Sequence, residues 1–250
     1  MDRAPVKVFF SIPNMGYTDP LAYDNRLLWA MRMGQNGEAA KHDPKRIPYS
    51  FYLGTVGKLL TPYAREVLAE KAVTAGMDLI FMVDDDMLGD PECFFQLAES
   101  VINGPADICG ALAFTRNPPH DPVLYVCEKG YDPVERTEYF INRPLTRYPR
   151  NSLVEVDAVG FGAVVFKTSI LHKMKRPWFM STCGSGEDIY FCYKATREAG
   201  ARVFSDTRVK LGHVGNPQII TEETHESYGD AVNILKRDGE ETKYAWQIMQ

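Results

Sequence analysis

The amino-acid sequence predicts an α/β protein with a mostly parallel central sheet and flanking helices. Strand-like apolar runs alternate with helical patterns over the first 115 residues, and a connection between parallel strands normally contains a helix. One apolar run ends in three consecutive aspartates, residues 84–86. Open α/β sheets bind their ligands at the carboxyl ends of the strands. The sequence therefore predicts a sheet whose strand ends carry polar chemistry.

Apolar runs, turn clusters and helix-start residues define the elements of the first half. Residues 6–12 have the pattern of a buried strand that ends at the turn cluster Pro13-Asn14-Met15-Gly16. The pair Thr61-Pro62 starts a helix because proline is favoured in the first helical turn. The remaining predictions are a helix over 20–33, a loop over 34–46 marked by Gly34, Gly37 and Pro44, a strand over 47–53, a helix over 61–76, a strand over 78–83, a helix over 90–101 and a strand over 106–114.

The second half alternates less regularly, so its elements are predicted as shorter pieces. Paired glycines within an apolar run indicate close backbone approach, and Gly160 and Gly162 interrupt such a run. The predicted order is a short strand over 123–127, a hairpin or loop over 128–152, a strand or strand–turn–strand over 154–166, a short helix over 169–174, a helix over 187–199, a strand over 202–211 and a polar tail with helical stretches from residue 217.

Composition narrows the classes of function. The chain has 250 residues and a formal net charge of −5, which is enough length for a substantial core and gives no general attraction to nucleic acid. Its five cysteines are odd in number and lack CxxC spacing, which indicates a reduced, cytoplasmic protein. No apolar stretch approaches the length of a membrane span. Neither a nucleic-acid partner nor transmembrane anchoring is therefore expected.

The triplet Asp84-Asp85-Asp86 is the most informative motif. Adjacent carboxylates repel one another unless a cation or a set of donors compensates them. Alternate side chains of a strand share a face, so Asp84 and Asp86 are expected to point together. Two hard oxygen ligands suit Mg²⁺ or Mn²⁺ bound together with substrate phosphates. The alternative is an acidic turn that only solubilises the end of a buried strand.

Two further motifs carry titratable groups next to glycines. Glu187 and Asp188 begin a helix after the loop Gly184-Ser185-Gly186. His213 comes directly after a strand-like run and has glycines on both sides, Gly212 and Gly215. Each has a simpler interpretation, since the helix macrodipole favours acids in any first turn and a single histidine after a strand is usually a hydrogen-bonded loop residue. The three motifs taken together are more informative than any one of them.

In this order and spacing the motifs resemble the GT-A glycosyltransferases, specifically the family-2-like nucleotide-sugar transferases. The resemblance spans about residues 6–215 and rests on four segments and a terminal Gly-His pair. These are Phe81 to Met87, Val156 to Gly162, Pro177-Trp178-Phe179, Gly186 to Cys192 and Gly212-His213. It implies a Rossmann-like GT-A domain over 1–215 with a small antiparallel extension. The tail over 216–250 would cover the acceptor, contact a second copy in a homo-oligomer, or simply form a polar helix.

The resemblance implies a donor site for a nucleoside-diphosphate sugar, with a UDP-sugar as the first expectation. Mn²⁺ or Mg²⁺ would bridge the diphosphate and stabilise the leaving group. Arg65 lies where relatives carry an Arg–Asn pair, but Glu66 replaces the asparagine here. The implied donor residues are Ser11, Pro13 and Asn14 for the nucleoside, Asp84 and Asp85 for the donor, and Arg65 and Arg116 for the diphosphate, while Asp84, Asp86 and His213 would hold the metal.

The resemblance also implies the catalytic and acceptor residues. Asp188 matches the base that deprotonates the acceptor hydroxyl, and a carboxylate in a closing pocket can have its pKa raised for that task. A base at this position implies inversion at the anomeric carbon. Glu187 and Trp178 would contact the acceptor, although Trp178 is equally suited to core packing.

Two alternative functions remain open from the sequence. A nucleotidyltransferase shares the α/β layout and the metal, but it would be expected to carry a glycine-rich basic loop after the first strand, which the cluster over 13–16 matches poorly. A non-catalytic GT-A-like module would bind sugar or nucleotide without transfer. The presence of the aspartates, Asp188 and His213 together speaks against that module.

Overall fold

The structure is a computed structural model that describes residues 4–14, 16, 18–43, 45–132, 137–182, 185–215 and 219–228. Its helices are α1 (Pro20–His42), α2 (Thr61–Thr74), α3 (Cys93–Ile102) and α4 (Glu187–Lys194), with a 3₁₀ helix at Thr168–Lys173 and a π-helical turn at Ala195–Ala199. Its strands are β1 (Val6–Asn14), β2 (Tyr49–Gly57), β3 (Leu79–Val83), β4 (Met87–Gly89), β5 (Ile108–Leu112), β6 (Leu124–Asp132), β7 (Thr137–Pro144), β8 (Leu153–Glu155), β9 (Ala158–Val159), β10 (Ala163–Lys167), β11 (Val203–Val214) and β12 (Ile219–Ile220).

The central sheet is mostly parallel. Its strand order is β12-β11-β5-β10-β3-β1-β2, and β4 and β8 also pair with β11. β1 pairs in parallel with β2 and β3, and β5 pairs in parallel with β11, whereas β10 runs antiparallel between β3 and β5. A separate three-stranded sheet, β7-β6-β9, is antiparallel. This arrangement confirms the predicted fold class, and it is consistent with a Rossmann-like GT-A fold.

The core lies on both faces of the central sheet. Adjacent strand residues point to opposite faces, and β1 accordingly sends Phe9 into one cluster and Phe10 into the other. The Phe9 cluster includes residues of α2 and α4, and the Phe10 cluster includes residues of α1 and α3. Phe10 stacks on Phe81 of β3 with 5.2 Å between ring centroids. The helices therefore cover a sheet that is buried on both sides, which fixes the strand ends that carry the polar residues.

The predicted loop over 34–46 is wrong for residues 34–42, because α1 continues to His42. Gly34 and Gly37 suggested a helix end, yet neither has a positive φ or a close neighbour that requires glycine. A glycine in a helix interior costs only about 1 kcal/mol relative to alanine. The burial of Met33 and Asn36 on the same stretch shows that packing against the body of the protein keeps this part of the helix folded.

The structure also changes details around the aspartates. β3 ends at Val83, so residues 84–86 lie in a turn between β3 and β4 rather than in a strand. The face alternation used to place Asp84 beside Asp86 therefore does not apply. The sequence pattern does not predict β4, and it predicts an end of the last long strand at residue 211, whereas β11 continues through His213 to Val214.

Edge strand β2 contains a close contact between a ring and a glycine. Ser11 of β1 pairs with Gly54 of β2, and the Phe9 side chain lies where a Cβ of residue 54 would stand. Phe9 is itself buried in the core, so its ring has little room to move aside. Glycine is required at position 54 because of this contact and not because of its backbone angles.

The described part of the tail packs on the sheet. β12 pairs with the end of β11, with Ile220 opposite His213, and residues 222–228 are helical. Ile220 is buried in the core. Residues 229–250 lie outside the described residues, and the predicted boundary at residue 215 stays a prediction. None of the helices in the described ranges combines the length and the apolar character that crossing a bilayer requires.

Candidate active site

A cavity of about 380 Å³ opens at the carboxyl ends of β1 and β3. The residues around it come from the end of β1, the start of α2, the turn after β3, the chain after β5 and the start of α4. Those that sequence analysis also identified are Pro13, Asn14, Arg65, Asp84, Asp85, Asp86, Arg116, Glu187 and Asp188. The fold thus gathers most of the predicted site residues at the carboxyl ends of the strands. This is where open α/β sheets bind their ligands.

The turn that carries the aspartates is held by Arg26 of α1. The Asp84 backbone N–H donates to the Gly162 carbonyl at 3.1 Å, and Arg26 donates through Nη2 to the Asp84 carbonyl oxygen. Burial lowers the pKa of Arg26, while the charges of Asp85 and Asp84 oppose this shift. Sequence reasoning missed Arg26. Its helical spacing from the buried Trp29 was the feature that could have found it, since a cationic residue on a core-facing helix position needs a partner.

Arg65 joins the aspartate turn to the start of α4. Its side chain is only 3% exposed, and its guanidinium forms ion pairs with Asp84 Oδ1 at 2.8 Å and with Glu187 Oε1 at 3.1 Å. The same group lies 5.1 Å from the centre of the Phe161 ring. Burial opposes the charge of Arg65, but Asp84, Glu187 and Asp188 together raise its pKa. Arg65 is therefore a permanent cation that holds two acidic segments together.

The carboxyl of Asp84, whose side chain is 27% exposed, is balanced between two effects. Burial raises the pKa of Asp84, the Arg65 charge opposes this, and Asp188 and Glu187 add to the rise. The net direction is upward, because a buried charge surrounded by other carboxylates is costly even with one ion pair. Asp84 is directed at Arg65, whereas Asp86 has other partners.

Asp188 stands in the first turn of α4 with space reserved for its carboxylate. A Cβ at Gly186 would lie 2.7 Å from Asp188 Oδ1, so glycine at 186 leaves that volume free. Oδ1 accepts a hydrogen bond from the Ile189 N–H at 2.8 Å. Burial raises the pKa of Asp188 and Glu187 adds to the rise, while Arg65 opposes it. A carboxylate with a raised pKa that faces a cavity can accept a proton from a bound hydroxyl.

Tyr125 of β6 lies on the Asp188 side of the site and was not predicted. Burial raises the pKa of Tyr125 to about 12, and the Asp188 charge contributes to the rise. Nearby on the same small sheet, Asn142 donates from Nδ2 to the Ser185 hydroxyl at 3.2 Å. The antiparallel extension therefore stands beside the loop that leads into α4, and polar groups link the two.

Asp86, Arg116 and His213 form a second polar group at the other side of the turn. Pairing of β4 with β11 sets His213 opposite Met87, and His213 Nε2 lies 3.3 Å from Asp86 Oδ2. Arg116 contacts the same Asp86 oxygen through Nη2 and donates from Nε to His213 Nε2 at 2.8 Å. His213 is therefore positioned by a strand pairing that sequence analysis did not foresee.

The ring of His213 has a defined tautomer. Its Nδ1 lies 2.8 Å from the Phe114 carbonyl oxygen, which can only accept, so Nδ1 carries the proton and Nε2 presents a lone pair. Burial lowers the pKa of His213, the hydrogen bond to Phe114 opposes this, and the Arg116 charge adds to the lowering. A neutral imidazole oriented through its other nitrogen is the form that binds metal ions.

The metal-ligating side chains at Asp86 and His213 are enough for a divalent cation only when a substrate supplies further ligands. Within the described ranges there is no group of three or more His, Cys, Asp or Glu side chains that could hold a metal ion. Asp86 and His213 supply two donor side chains, and Asp86 Oδ1 is buried without a hydrogen-bond partner. Mg²⁺ and related ions are commonly bound through one or two carboxylates completed by substrate phosphates. The orphaned oxygen fits such a site.

His213 does not line the cavity itself and contacts Asp86 and Arg116, which do. Ser11 and Trp178 also lie outside the cavity lining. Ser11 is fully buried and its hydroxyl donates to the Phe81 carbonyl at 3.4 Å. Trp178 is buried, donates from its indole N–H to the Met174 carbonyl at 3.3 Å and packs against the Arg176 guanidinium. The contacts in the structure are thus packing contacts for both residues, and their predicted roles with nucleoside and acceptor stay predictions.

Glu66 has a defined structural contact. Its carboxylate accepts hydrogen bonds from the backbone N–H groups of Trp178 and Phe179 at 2.8 and 3.0 Å and from Arg176 at 2.9 Å. Glu66 therefore ties α2 to the segment over 176–179.

Solved structures with a similar fold are found at low sequence identity. A197 from STIV is 19% identical with a TM-score of 0.56, and the likeness covers 87% of this chain and 91% of that one. GalNAc-T7, solved with UDP, GalNAc and Mn²⁺, is 11% identical with a TM-score of 0.46, covering 85% of this chain and 44% of that one. The inositol-1-phosphate CTP transferase from T. maritima is 11% identical with a TM-score of 0.43, covering 92% of this chain and 97% of that one. No protein-family model and no curated protein sequence matches the chain. At this identity the likeness to A197 shows the fold alone.

Proposed function

We propose that the protein is a metal-dependent glycosyltransferase that moves a sugar from a nucleoside-diphosphate sugar to an acceptor hydroxyl with inversion. The observation that carries the proposal is the position of Asp188 on the same cavity as Asp86 and Arg116. A base and a set of groups suited to a diphosphate thus face one cavity. Such an arrangement is what a displacement at a sugar carbon requires, with the nucleophile and the leaving group on opposite sides.

The acidic side of the cavity supplies the base. An acceptor hydroxyl bound next to α4 would pass its proton to a carboxylate oxygen of Asp188 as the oxygen attacks the anomeric carbon. Glu187 is held by Arg65, which leaves Asp188 as the carboxylate available for proton transfer. The raised pKa of Asp188 makes it a stronger base than an ordinary aspartate once it is ionised.

The opposite side of the cavity supplies charge for the diphosphate. Arg116 presents a guanidinium whose planar geometry suits phosphate oxygens. Asp86 and His213 would hold Mn²⁺ or Mg²⁺, which when bound supplies positive charge to the departing diphosphate. Pro13 and Asn14 end β1 at the same cavity and would contact the nucleoside. A UDP-sugar is the proposed donor, with an unidentified acceptor, a cytoplasmic location and self-association into a homo-oligomer as further predictions.

A thermal-shift screen of UDP, GDP, CDP and ADP with and without Mn²⁺ tests the donor site. A ligand that binds only the folded protein raises the melting temperature by mass action. We expect one diphosphate to stabilise the protein when Mn²⁺ is present, with the effect lost in Asp86→Ala. Asp24→Ala is the matched control, because Asp24 is an exposed aspartate on α1 outside the cavity.

The result with the corresponding sugar donors separates the proposed function from its alternatives. A glycosyltransferase is expected to release the nucleoside diphosphate from the donor in an Mn²⁺-dependent reaction. Binding without any release would favour a non-catalytic module. Release of pyrophosphate from a nucleoside triphosphate would favour a nucleotidyltransferase. An absence of binding by every diphosphate would contradict the proposal.

A further inference from the structure

Arg116 occupies the space between the two atoms best suited to bind a cation. Its Nη2 contacts Asp86 Oδ2, its Nε donates to His213 Nε2 at 2.8 Å, and those two acceptor atoms are 3.3 Å apart. The side chain of Arg116 is 54% exposed, whereas that of Asp86 is 18% exposed. A solvent-exposed cation therefore bridges two largely buried acceptors.

Arg116 and a metal ion cannot both bind to Asp86 Oδ2 and His213 Nε2 at the same time. A neutral imidazole has a single lone pair on its unprotonated nitrogen, and the hydrogen bond from Arg116 uses that lone pair on His213. The guanidinium cannot lose its charge at physiological pH, so it cannot remain as a neutral neighbour of a bound metal ion. A divalent cation can reach Asp86 and His213 only after Arg116 has moved away.

Arg116 has another partner available once a substrate arrives. It lines the same cavity as Asp84, Asp85 and the start of α4, and it follows β5, which ends at Leu112. Guanidinium groups form strong bidentate hydrogen bonds with phosphates. A diphosphate in the cavity would offer Arg116 oxygens to replace those of Asp86.

We propose that Arg116 is a built-in counter-cation that occupies the metal's place before the donor binds and exchanges it for the diphosphate when donor and metal bind together. This inference rests on the proposed function, since it concerns the same cavity. It has a consequence that the proposed function alone does not: loss of the Arg116 side chain strengthens metal binding in the absence of nucleotide. Together with direct contact between metal and diphosphate, the exchange makes nucleotide and metal increase each other's affinity. By linkage the two increases are equal.

Mn²⁺ binding to the full chain in the absence of nucleotide tests the exchange, with free Mn²⁺ measured by electron paramagnetic resonance. We expect Arg116→Ala to bind Mn²⁺ about tenfold more tightly than the wild type or better, because a charged hydrogen bond no longer competes. Arg202→Ala is the matched control, since Arg202 is an exposed arginine, 50% accessible, that is paired with Glu155. Equal or weaker Mn²⁺ binding by Arg116→Ala than by the wild type would overturn the inference.

A second titration with UDP separates this inference from the proposed function. UDP is expected to increase the Mn²⁺ affinity of the wild type, and this increase should be smaller in Arg116→Ala. Asp86→Ala and His213→Ala are expected to lose Mn²⁺ binding. If they lose it while Arg116→Ala matches the wild type in both titrations, the exchange is wrong and the metal site stands. If they bind Mn²⁺ as the wild type does, the metal site and the exchange are both wrong.

Discussion

Arg65 and Arg116 face the same cavity but belong to different environments. The Arg65 side chain is 3% exposed and lies between Asp84, Glu187 and the Phe161 ring. The Arg116 side chain is 54% exposed and contacts Asp86 and His213 from the solvent side. The sequence assigns the same role to both arginines. The structure teaches that burial decides whether a cation belongs to the scaffold of a site or is available to its ligand.

The same contrast applies to the carboxylates. Asp84 and Glu187 form ion pairs with Arg65. The Asp188 carboxylate lies where a side chain at Gly186 would stand, and burial disfavours its charged form. The fixed pairs hold the cavity in shape and the destabilised group is left for chemistry. A stability–function conflict of this kind is common at active sites.

The largest expected effect is the loss of sugar transfer when the proposed base, Asp188, is replaced. Asp188→Asn should reduce sugar transfer by about 10²- to 10⁴-fold, the range for loss of a general base, because an amide cannot accept the proton. Affinity for UDP with Mn²⁺ should be unchanged, as measured by isothermal titration calorimetry. Transfer at the wild-type rate would show that Asp188 is not the base.

The comparison of the two arginines predicts a large difference in stability. Arg65→Met should lower the free energy of unfolding by about 3–5 kcal/mol, the cost of leaving buried carboxylates without their partner. Arg116→Met should change it by about 1 kcal/mol or less, as for exposed ion pairs. Urea unfolding of both variants measures the difference, and equal losses would refute the assignment of Arg65 to the scaffold.

A smaller effect is expected at Gly186. Gly186→Ala places a methyl group against Asp188 Oδ1, and its backbone has φ −68° and ψ 166°, which alanine adopts without strain. The Asp188 carboxylate must therefore move, and transfer should fall about tenfold or more since misplacement of about 1 Å can cost 10²-fold. The melting temperature should change little. An unaltered rate constant for transfer would mean that the position of the Asp188 carboxylate is not critical.

The smallest effect is the pH dependence of stability. The pKa of Asp188 is raised in the folded protein, so the folded state binds this proton more tightly than the unfolded state does. The resulting cost is absent below the unfolded pKa, which is about 4, and it is complete above the folded pKa. Asp188→Asn should therefore become more stable relative to the wild type as pH rises through this window. A stability difference that does not vary with pH would contradict the raised pKa.

The activity of the wild type should also depend on the ionisation of Asp188, but it should increase as pH rises, whereas stability decreases. Transfer requires ionised Asp188, so the rate should fall as pH decreases through the raised pKa, above the ordinary range of an aspartate near 4. A pH profile of kcat measures this acid limb. An acid limb at or below the ordinary aspartate range would show that the proton on the essential group is held no more tightly than in an exposed carboxyl.

The sequence was sufficient for the fold class and for most residues of the cavity. Parallel strands align their carboxyl ends, so Asp84 to Asp86 and Asn14 could be placed at one edge from strand order alone. It was insufficient where a long-range pairing or a buried side chain decides the geometry. The pairing of β4 with β11 that brings His213 to Asp86 involves only a three-residue strand. The burial of Arg65 depends on how α2 packs over the sheet, which local patterns do not encode.

The ring of Phe9 over Gly54 has a consequence for how the edge strand finds its place. An aromatic side chain that covers an edge glycine is a device that fixes strand register. A slip of one residue would exchange the two faces of β2, and a slip of two would bring the side chain of Tyr52 or Val56 against the ring. Among alignments that differ by up to two residues, only the observed one keeps a glycine against the Phe9 ring. That alignment also sets where the chain leaves β2, and so it delivers Leu59 and Thr61 to the mouth of the cavity.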